Sequence, residues 1–210
     1  MQPHASVRDT AMNLVKRLAG YAVFQVIGFR PTPVSAESWD REYRDGRWNY
    51  LEGLDNLGGL ASLLGYCQFL KPGTILDVGC GAGLLASKLK VLPYTNYLGL
   101  DLSVEAIARA QTEADARTAF AVAGAEDFHT DRRFDVIVFS QILNYVPAPD
   151  RVLRRYAEFL APNGHILVSL YAAGRTRAAW QLIEKTMRVE DSMTVTQGPG
   201  TTTTKVLTPR

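Results

Sequence analysis

The sequence contains few of the residues that bind metals or form disulfides: its 210 residues include only two cysteines and three histidines. Cys67 and Cys80 stand in apolar stretches, so we expect neither a disulfide framework nor a zinc site. We therefore predict that the protein binds no metal and that it works in the reducing cytoplasm.

Long apolar runs and a large net charge are also missing. No segment approaches the roughly 20 apolar residues that a membrane-spanning helix needs. The formal net charge is +2, which is too small to make a nucleic acid the expected partner. With 47% apolar and 21% charged residues, the composition is that of an ordinary globular domain with a sizeable core.

Two regions are predicted along the chain: an N-terminal amphipathic helix with a linker over residues 1–35, and the main domain over residues 36–210. Apolar residues recur at helical spacing in the first region, and two prolines mark the linker. The helix either packs on the domain or makes weak contact with a membrane surface, because Lys16 and Arg17 lie beside apolar residues.

The most informative stretch is TILDVGCGAG, residues 74–83. Its apolar start predicts a buried parallel strand, and leucines at helical spacing follow it. Three alternating glycines, Gly79, Gly81 and Gly83, let the backbone turn sharply and let a ligand lie against it. Strand, glycine turn and helix together form the first half of a nucleotide-binding crossover.

Two common nucleotide sites are excluded by the details of this turn. A dinucleotide-binding turn needs a glycine where Leu84 stands, and a phosphate-binding loop needs a Gly-Lys-Ser/Thr sequence that is absent. Asp77, at the end of the strand, would repel a pyrophosphate. It suits a ligand with a cationic, hydrogen-bond-donating end.

DVGCGAG resembles motif I of the class I S-adenosylmethionine-dependent methyltransferases. The resemblance implies a doubly wound, Rossmann-like α/β fold: a seven-stranded, mostly parallel sheet with an antiparallel last strand and helices on both faces. The implied cofactor, S-adenosyl-L-methionine, carries an ammonium group and a sulfonium but no phosphate. Its implied contacts in this motif are Asp77, Gly79, Cys80, Gly81 and Gly83.

Further cofactor contacts follow along the chain. Asp101 ends the second predicted strand, 18 positions after the last glycine of the turn. A carboxylate there is placed to accept hydrogen bonds from both ribose hydroxyls, and Leu102 follows it. Residues 124–128 resemble the family's adenine loop, in which either Glu126 or Asp127 holds the acidic position.

An aromatic segment, Ser38–Gly53, precedes motif I and contains two tryptophans and two tyrosines among charged residues. It resembles the aromatic stretch found there in many small-molecule methyltransferases. The resemblance places Trp48 over the methionine end of the cofactor, where a ring near a sulfonium gains cation–π attraction. Alternatively, these rings pack the N-terminal helix onto the sheet.

The fourth predicted strand, FDVIVFS, ends at Ser140 and is followed by Gln141 and Tyr145. Ligands of open α/β sheets bind at the carboxyl ends of strands, so this edge and motif I should flank one crevice, with Ser140 at the cofactor. Many relatives carry an acid in place of Gln141 and a histidine in place of Tyr145. Because the usual candidate base is missing, we predict catalysis by proximity, with Tyr145 and Gln141 orienting the acceptor.

A helix with three arginines, Arg151, Arg154 and Arg155, is predicted after this edge, and we expect these arginines to form a solvated face. The last two strands are predicted over Val189–Gln197 and Thr202–Leu207, as a hairpin.

The predicted function is transfer of a methyl group to an oxygen or nitrogen atom of a small molecule, of the secondary-metabolite or sugar type, by a monomer or homodimer. A nucleic-acid acceptor is not expected, because SQIL stands where amino-methylating nucleic-acid enzymes carry Asn-Pro-Pro-Tyr. One alternative is a non-catalytic partner subunit that keeps the fold. The other, less favoured, is a nicotinamide-dependent oxidoreductase, which lacks support because no Tyr-x-x-x-Lys pair is present.

Overall fold

The structure is a computed structural model that describes residues 34–173, 176–198 and 200–210. The N-terminal helix predicted within residues 1–35 lies outside the described residues, as does nearly all of the linker. Within the described part, no helix has both the length and the apolar character needed to cross a membrane.

The described residues form seven strands and six α-helices around one sheet. The strands are β1 (Thr74–Val78), β2 (Asn96–Asp101), β3 (Thr118–Val122), β4 (Phe134–Ser140), β5 (Leu160–Tyr171), β6 (Met187–Gln197) and β7 (Gly200–Pro209). The helices are α1 (Ala36–Arg44), α2 (Leu57–Leu70), α3 (Leu84–Leu89), α4 (Val104–Ala110), α5 (Pro149–Ala157) and α6 (Thr176–Thr186).

The strand order is β3-β2-β1-β4-β5-β7-β6. Strands β1 to β5 pair in parallel, and β7 is antiparallel to both of its neighbours. The predicted fold class is therefore confirmed. The direction in which successive strands are added to the sheet changes between β1 and β4. These two strands are parallel neighbours, with Val78 opposite Phe139. This reversal is the topological switch at which open α/β sheets bind their ligands.

Two buried clusters cover the two faces of the sheet. One joins the sheet to α5 and α6 through residues such as Phe139, Tyr156 and Ile183. The other joins it to α2, α3 and α4 through residues such as Leu63 and Leu85. The middle of β4 is buried throughout, as its unbroken apolar run predicts.

Three places in the fold show local irregularities or marked boundaries. A 3-10 turn, Leu54–Asn56, precedes α2. Helix α5 begins at Pro149, because proline at the first helical position has its φ already fixed and needs no hydrogen-bond partner. Residues 162–164 lie inside β5, where the pairing with β4 shifts register and Asn163 takes a φ of +63°.

Candidate functional site

The glycine turn after β1 is built from left-handed backbone, with φ angles of +75°, +55° and +82° at Gly79, Gly81 and Gly83. A Cβ at Gly79 would lie 2.2 Å from Cγ2 of Ile142, and one at Gly81 would lie 2.7 Å from the hydroxyl oxygen of Tyr43. The first two glycines thus permit close approach from the β4 edge and from α1, while Gly83 caps α3.

Asp101 ends β2 beside the glycine turn. Its Oδ2 accepts a hydrogen bond from the amide of Gly81, and its Oδ1 accepts one from the amide of Ser103, both at 2.9 Å. Burial raises the pKa of this carboxyl, and the backbone amides oppose that rise. The helix cap at α4 is supplied by Ser103, so the carboxylate of Asp101 is held toward the turn.

Asp77 lies beneath the same turn and is almost fully buried, with 1% of its surface exposed. Its Oδ2 accepts a hydrogen bond from the hydroxyl of Tyr97 at 2.5 Å, but its buried Oδ1 has no hydrogen-bond partner. Burial raises the pKa of Asp77 to about 7, against the opposing hydrogen bond. Cys80, next along the turn, is buried too, and burial raises the pKa of its thiol, which keeps it neutral.

Aromatic rings cover the crevice between this turn and the end of β4. The ring of Trp39 meets that of Tyr145 edge-on, with 5.1 Å between the ring centroids, and lies 5.4 Å from the ring of Trp48. The ring of Trp48 in turn lies 6.0 Å from that of Tyr50 and 6.3 Å from that of Tyr43. We call these five residues the aromatic roof. The Nε1 of Trp48 is buried without a hydrogen-bond partner.

Gln141 follows β4 with a φ of +63°, a strained conformation of the kind found at functional sites. Its Oε1 accepts a hydrogen bond from the amide of Tyr171 at 2.6 Å, and its Nε2 donates to the hydroxyl of Ser169 at 3.3 Å. The predicted acceptor-orienting side chain is therefore tied to β5. Ser140, the preceding residue, pairs with Ser169 in the sheet.

Two further residues lie at this edge, of which only one was predicted from the sequence as a site residue. Tyr145, a predicted site residue, has 38% of its surface exposed and reaches the crevice edge under Trp39. Asn144 was not singled out from the sequence. Its Nδ2 donates to the hydroxyl of Thr176 at 3.5 Å, and its Oδ1 is buried without a hydrogen-bond partner.

Residues 48–195 match the family described as a methyltransferase domain. This chain belongs to that family.

Two curated relatives show the extent of the likeness in sequence. The ubiquinone biosynthesis O-methyltransferase of Serratia proteamaculans is 31% identical over 112 residues, which cover 51% of this chain and 45% of that protein. The protein of the same name from Photobacterium profundum is 32% identical over 101 residues, or 45% of this chain and 42% of that one. The match thus spans less than half the length of either relative.

Solved structures of the same fold agree over most of the chain. The N-methyltransferase NodS from Bradyrhizobium japonicum WM9, in complex with S-adenosyl-L-homocysteine, has a TM-score of 0.68 at 18% identity and covers 83% of this chain and 98% of its own. A TehB-like methyltransferase from Corynebacterium glutamicum has a TM-score of 0.63 at 21% identity, covering 80% and 97%. This chain has the methyltransferase fold.

In this methyltransferase domain the loop predicted to meet adenine follows β3. The amides of Asp127 and Phe128 both donate to the carbonyl of Gly124 at 3.2 Å. The Oδ2 of Asp127 lies 3.1 Å from the point where a Cβ at Gly124 would stand, and Cδ1 of Leu102 lies 3.7 Å from the same point. The fold therefore brings Asp127 and Leu102 to the same glycine, although Glu126 and Asp127 are both exposed.

Helix α1 is fastened to the methyltransferase domain by contacts that the sequence did not reveal. The Oδ1 of Asp40 accepts hydrogen bonds from the hydroxyl of Ser103 at 2.6 Å and from the amide of Glu105 at 3.2 Å. Arg109 donates to the carbonyl of Tyr43 and to Oδ1 of Asn49. An acid at the positive end of α4 is favoured by the helix dipole, so the aromatic roof is anchored beside Asp101.

The burial of Asp77 predicts a pH dependence of stability. Because its pKa rises from 3.8 to about 7 on folding, the folded domain holds this proton more tightly than the unfolded chain. The stabilisation is complete below about pH 4 and is lost as the pH rises through 7. The free energy of unfolding, measured in urea, should fall over this range more steeply for the wild type than for Asp77→Asn. Parallel pH profiles would contradict the assignment.

Proposed function

We propose that this methyltransferase domain binds S-adenosyl-L-methionine and transfers its methyl group to an oxygen or nitrogen atom of a small molecule by in-line displacement. The observation that carries the proposal is the buried, unpartnered Oδ1 of Asp77 under the glycine turn. A buried acceptor without a partner is costly. A ligand with an ammonium group at that point would satisfy it.

The rest of the site fits the same ligand. Each carboxylate oxygen of Asp101 accepts one backbone amide and keeps lone-pair capacity for a ribose hydroxyl. The φ angles of Gly79 and Gly81 let the ligand approach the backbone. The proposed cofactor contacts are those predicted from the sequence: Asp77, Gly79, Cys80, Gly81, Gly83, Asp101, Leu102, Glu126, Asp127, Ser140 and Trp48.

The chain's own residues would bind, orient and shield the reactants. When bound, S-adenosyl-L-methionine supplies a methyl group that already carries a sulfonium leaving group. The aromatic roof would exclude water from the crevice and present ring faces to a cation. Gln141, held by β5, would fix the edge from which the phenol of Tyr145 orients the acceptor.

We propose a small-molecule acceptor of the secondary-metabolite or sugar type. The names of the relatives support both kinds of acceptor atom, since they describe an O-methyltransferase of ubiquinone biosynthesis and an N-methyltransferase. Tyr50 lies next to Trp48 in the aromatic roof and Tyr171 ends β5, and their rings are 56% and 47% exposed. They favour an acceptor with a planar or apolar face.

Ligand-induced changes in melting temperature test the proposal. S-adenosylhomocysteine and S-adenosylmethionine should each raise the melting temperature, by an amount corresponding to about 2.7 kcal/mol at one hundred times the dissociation constant. NADH and NADPH should not. A rise with the nicotinamides alone, or none with S-adenosylhomocysteine, would contradict the proposal. A labelled-methyl screen over metabolite pools then separates an active enzyme from a non-catalytic partner subunit and identifies the acceptor.

Removing the hydroxyl of Tyr145 should lower kcat/KM by a measurable amount. Tyr145→Phe keeps the ring that meets Trp39 and removes only the group proposed to orient the acceptor. We expect kcat/KM to fall about three- to tenfold, the range for one neutral hydrogen bond, with unchanged affinity for S-adenosylhomocysteine. Steady-state kinetics and calorimetry measure the two quantities. An unchanged kcat/KM would remove this hydroxyl from the acceptor site.

A further inference from the structure

Arg155 does not behave like the solvated arginine that the sequence predicts on α5. It is half-buried, its guanidinium donates to the carbonyl of Ala125 at 2.5 Å and to the carbonyl of Glu126, and it lies 5.4 Å from the ring centroid of Tyr156. Its neighbour Arg154 is exposed and forms an ordinary i,i+4 ion pair with Asp150 at 2.7 Å. Only the first of these two arginines reaches from α5 to the loop after β3.

A second contact holds the same loop at its far end. The ring of Phe128 stacks on Tyr156 at 6.4 Å and meets Phe159 edge-on at 6.1 Å. Both of those rings are buried in the core. The loop is therefore fixed by the guanidinium at residues 125 and 126 and by an aromatic cluster at residue 128, and Asp127 lies between the two anchors.

The guanidinium controls the direction in which Asp127 points. The carbonyl of Glu126 belongs to the peptide plane that leads into Asp127, so fixing that oxygen fixes the orientation of the next residue. Because Gly124 has no side chain, the carboxylate of Asp127 occupies the space beside it, near Leu102. A planar guanidinium holds two successive carbonyls in one fixed geometry, whereas the rotating donors of a lysine ammonium, on a flexible stem, fix that geometry less firmly.

We propose that Arg155 is a positioning residue for the nucleobase end of the cofactor site. It holds the loop so that Asp127, rather than Glu126, accepts a hydrogen bond from the exocyclic amino group of adenine. This inference rests on the proposed function, because it assumes that a nucleoside with an adenine base lies against Leu102.

The experiment compares two nucleosides that differ only at this edge of the base: S-adenosylhomocysteine, with a 6-amino group, and S-inosylhomocysteine, with a 6-oxo group. The wild type should bind the adenine form about tenfold or more tightly, as expected for a hydrogen bond to a charged acceptor. Arg155→Ala should lose most of this preference, and Arg155→Lys should recover only part of it. Arg154→Ala is the matched control on the same helix and should keep the wild-type preference.

Asp127→Asn tests independently whether the carboxylate of Asp127 distinguishes the two bases, because an amide can accept a hydrogen bond from an amino group or donate one to an oxo group. Its preference for the adenine form should collapse. If the wild type binds neither nucleoside, the proposed function fails and this inference fails with it. Other outcomes overturn only this inference while the wild type still prefers the adenine form. In one, Arg155→Ala keeps that preference or loses affinity for both nucleosides equally. In the other, Asp127→Asn behaves as the wild type does.

Discussion

Replacing Asp101 with alanine should weaken the binding of S-adenosylhomocysteine by at least about tenfold, since charged hydrogen bonds are worth about 1.5–3 kcal/mol each. The substitution removes the proposed acceptor of the ribose hydroxyls. It also frees the amides of Gly81 and Ser103, which the carboxylate holds at 2.9 Å. The ligand would then meet a looser glycine turn as well as a missing acceptor.

Calorimetric titration measures the affinity, and two variants sharpen the result. Asp101→Asn keeps one acceptor oxygen and should bind more tightly than the alanine variant. Asp115→Ala is the matched control, because Asp115 also accepts a backbone amide, that of Arg117 at 2.8 Å, but is exposed and lies before β3. If Asp101→Ala binds with wild-type affinity, the ribose lies elsewhere.

Gly79→Ala should lower the free energy of unfolding by about 2–5 kcal/mol. Two costs combine. A left-handed backbone is unfavourable for alanine, and the new Cβ would stand 2.2 Å from Cγ2 of Ile142 at the β4 edge. Because the turn and that edge flank the crevice, cofactor affinity should fall with stability. Urea unfolding and calorimetry measure the two effects.

Gly198 separates these costs, since its φ is +54° and a Cβ there would meet nothing within 4 Å. Gly198→Ala should therefore show only the backbone cost, about 1–2 kcal/mol. A double-mutant cycle with Ile142→Ala should recover the part of the Gly79→Ala loss that comes from overpacking. Equal losses at the two glycines, with no coupling to Ile142, would contradict the close contact.

The features that were predicted correctly from the sequence are those encoded by residues close together along the chain. Apolar runs marked the central strands, alternating glycines marked a turn whose three glycines all have positive φ, and an acid at the end of β2 does lie beside that turn. Each of these patterns needs only neighbouring residues to be recognised. The seven-stranded, mostly parallel sheet was expected only from the resemblance to the methyltransferase family, and its strand order was not predicted from the sequence.

The contacts that escaped prediction join distant parts of the chain. Asp40 meets Ser103 across 63 residues, and Arg155 meets the carbonyl of Ala125 across 30. No periodic pattern links such partners, and a carbonyl acceptor leaves no trace in the sequence. Gln141 was predicted to help orient the acceptor, and the sequence did not reveal that its side-chain amide would bond to β5 from a left-handed backbone. Such directions depend on backbone angles that side-chain identity does not fix.

The placement of β7 between β5 and β6 affects how the domain can form during translation. Strand β6 leaves the ribosome before β7, yet among the described strands β7 is its only pairing partner. A nascent chain halted at residue 197 would carry an unpaired edge on β5, and open edges of this kind invite aggregation. The emergence of residues 200–209 would pair β5 and one side of β6 at the same time, and β6 would become the outer edge of the sheet.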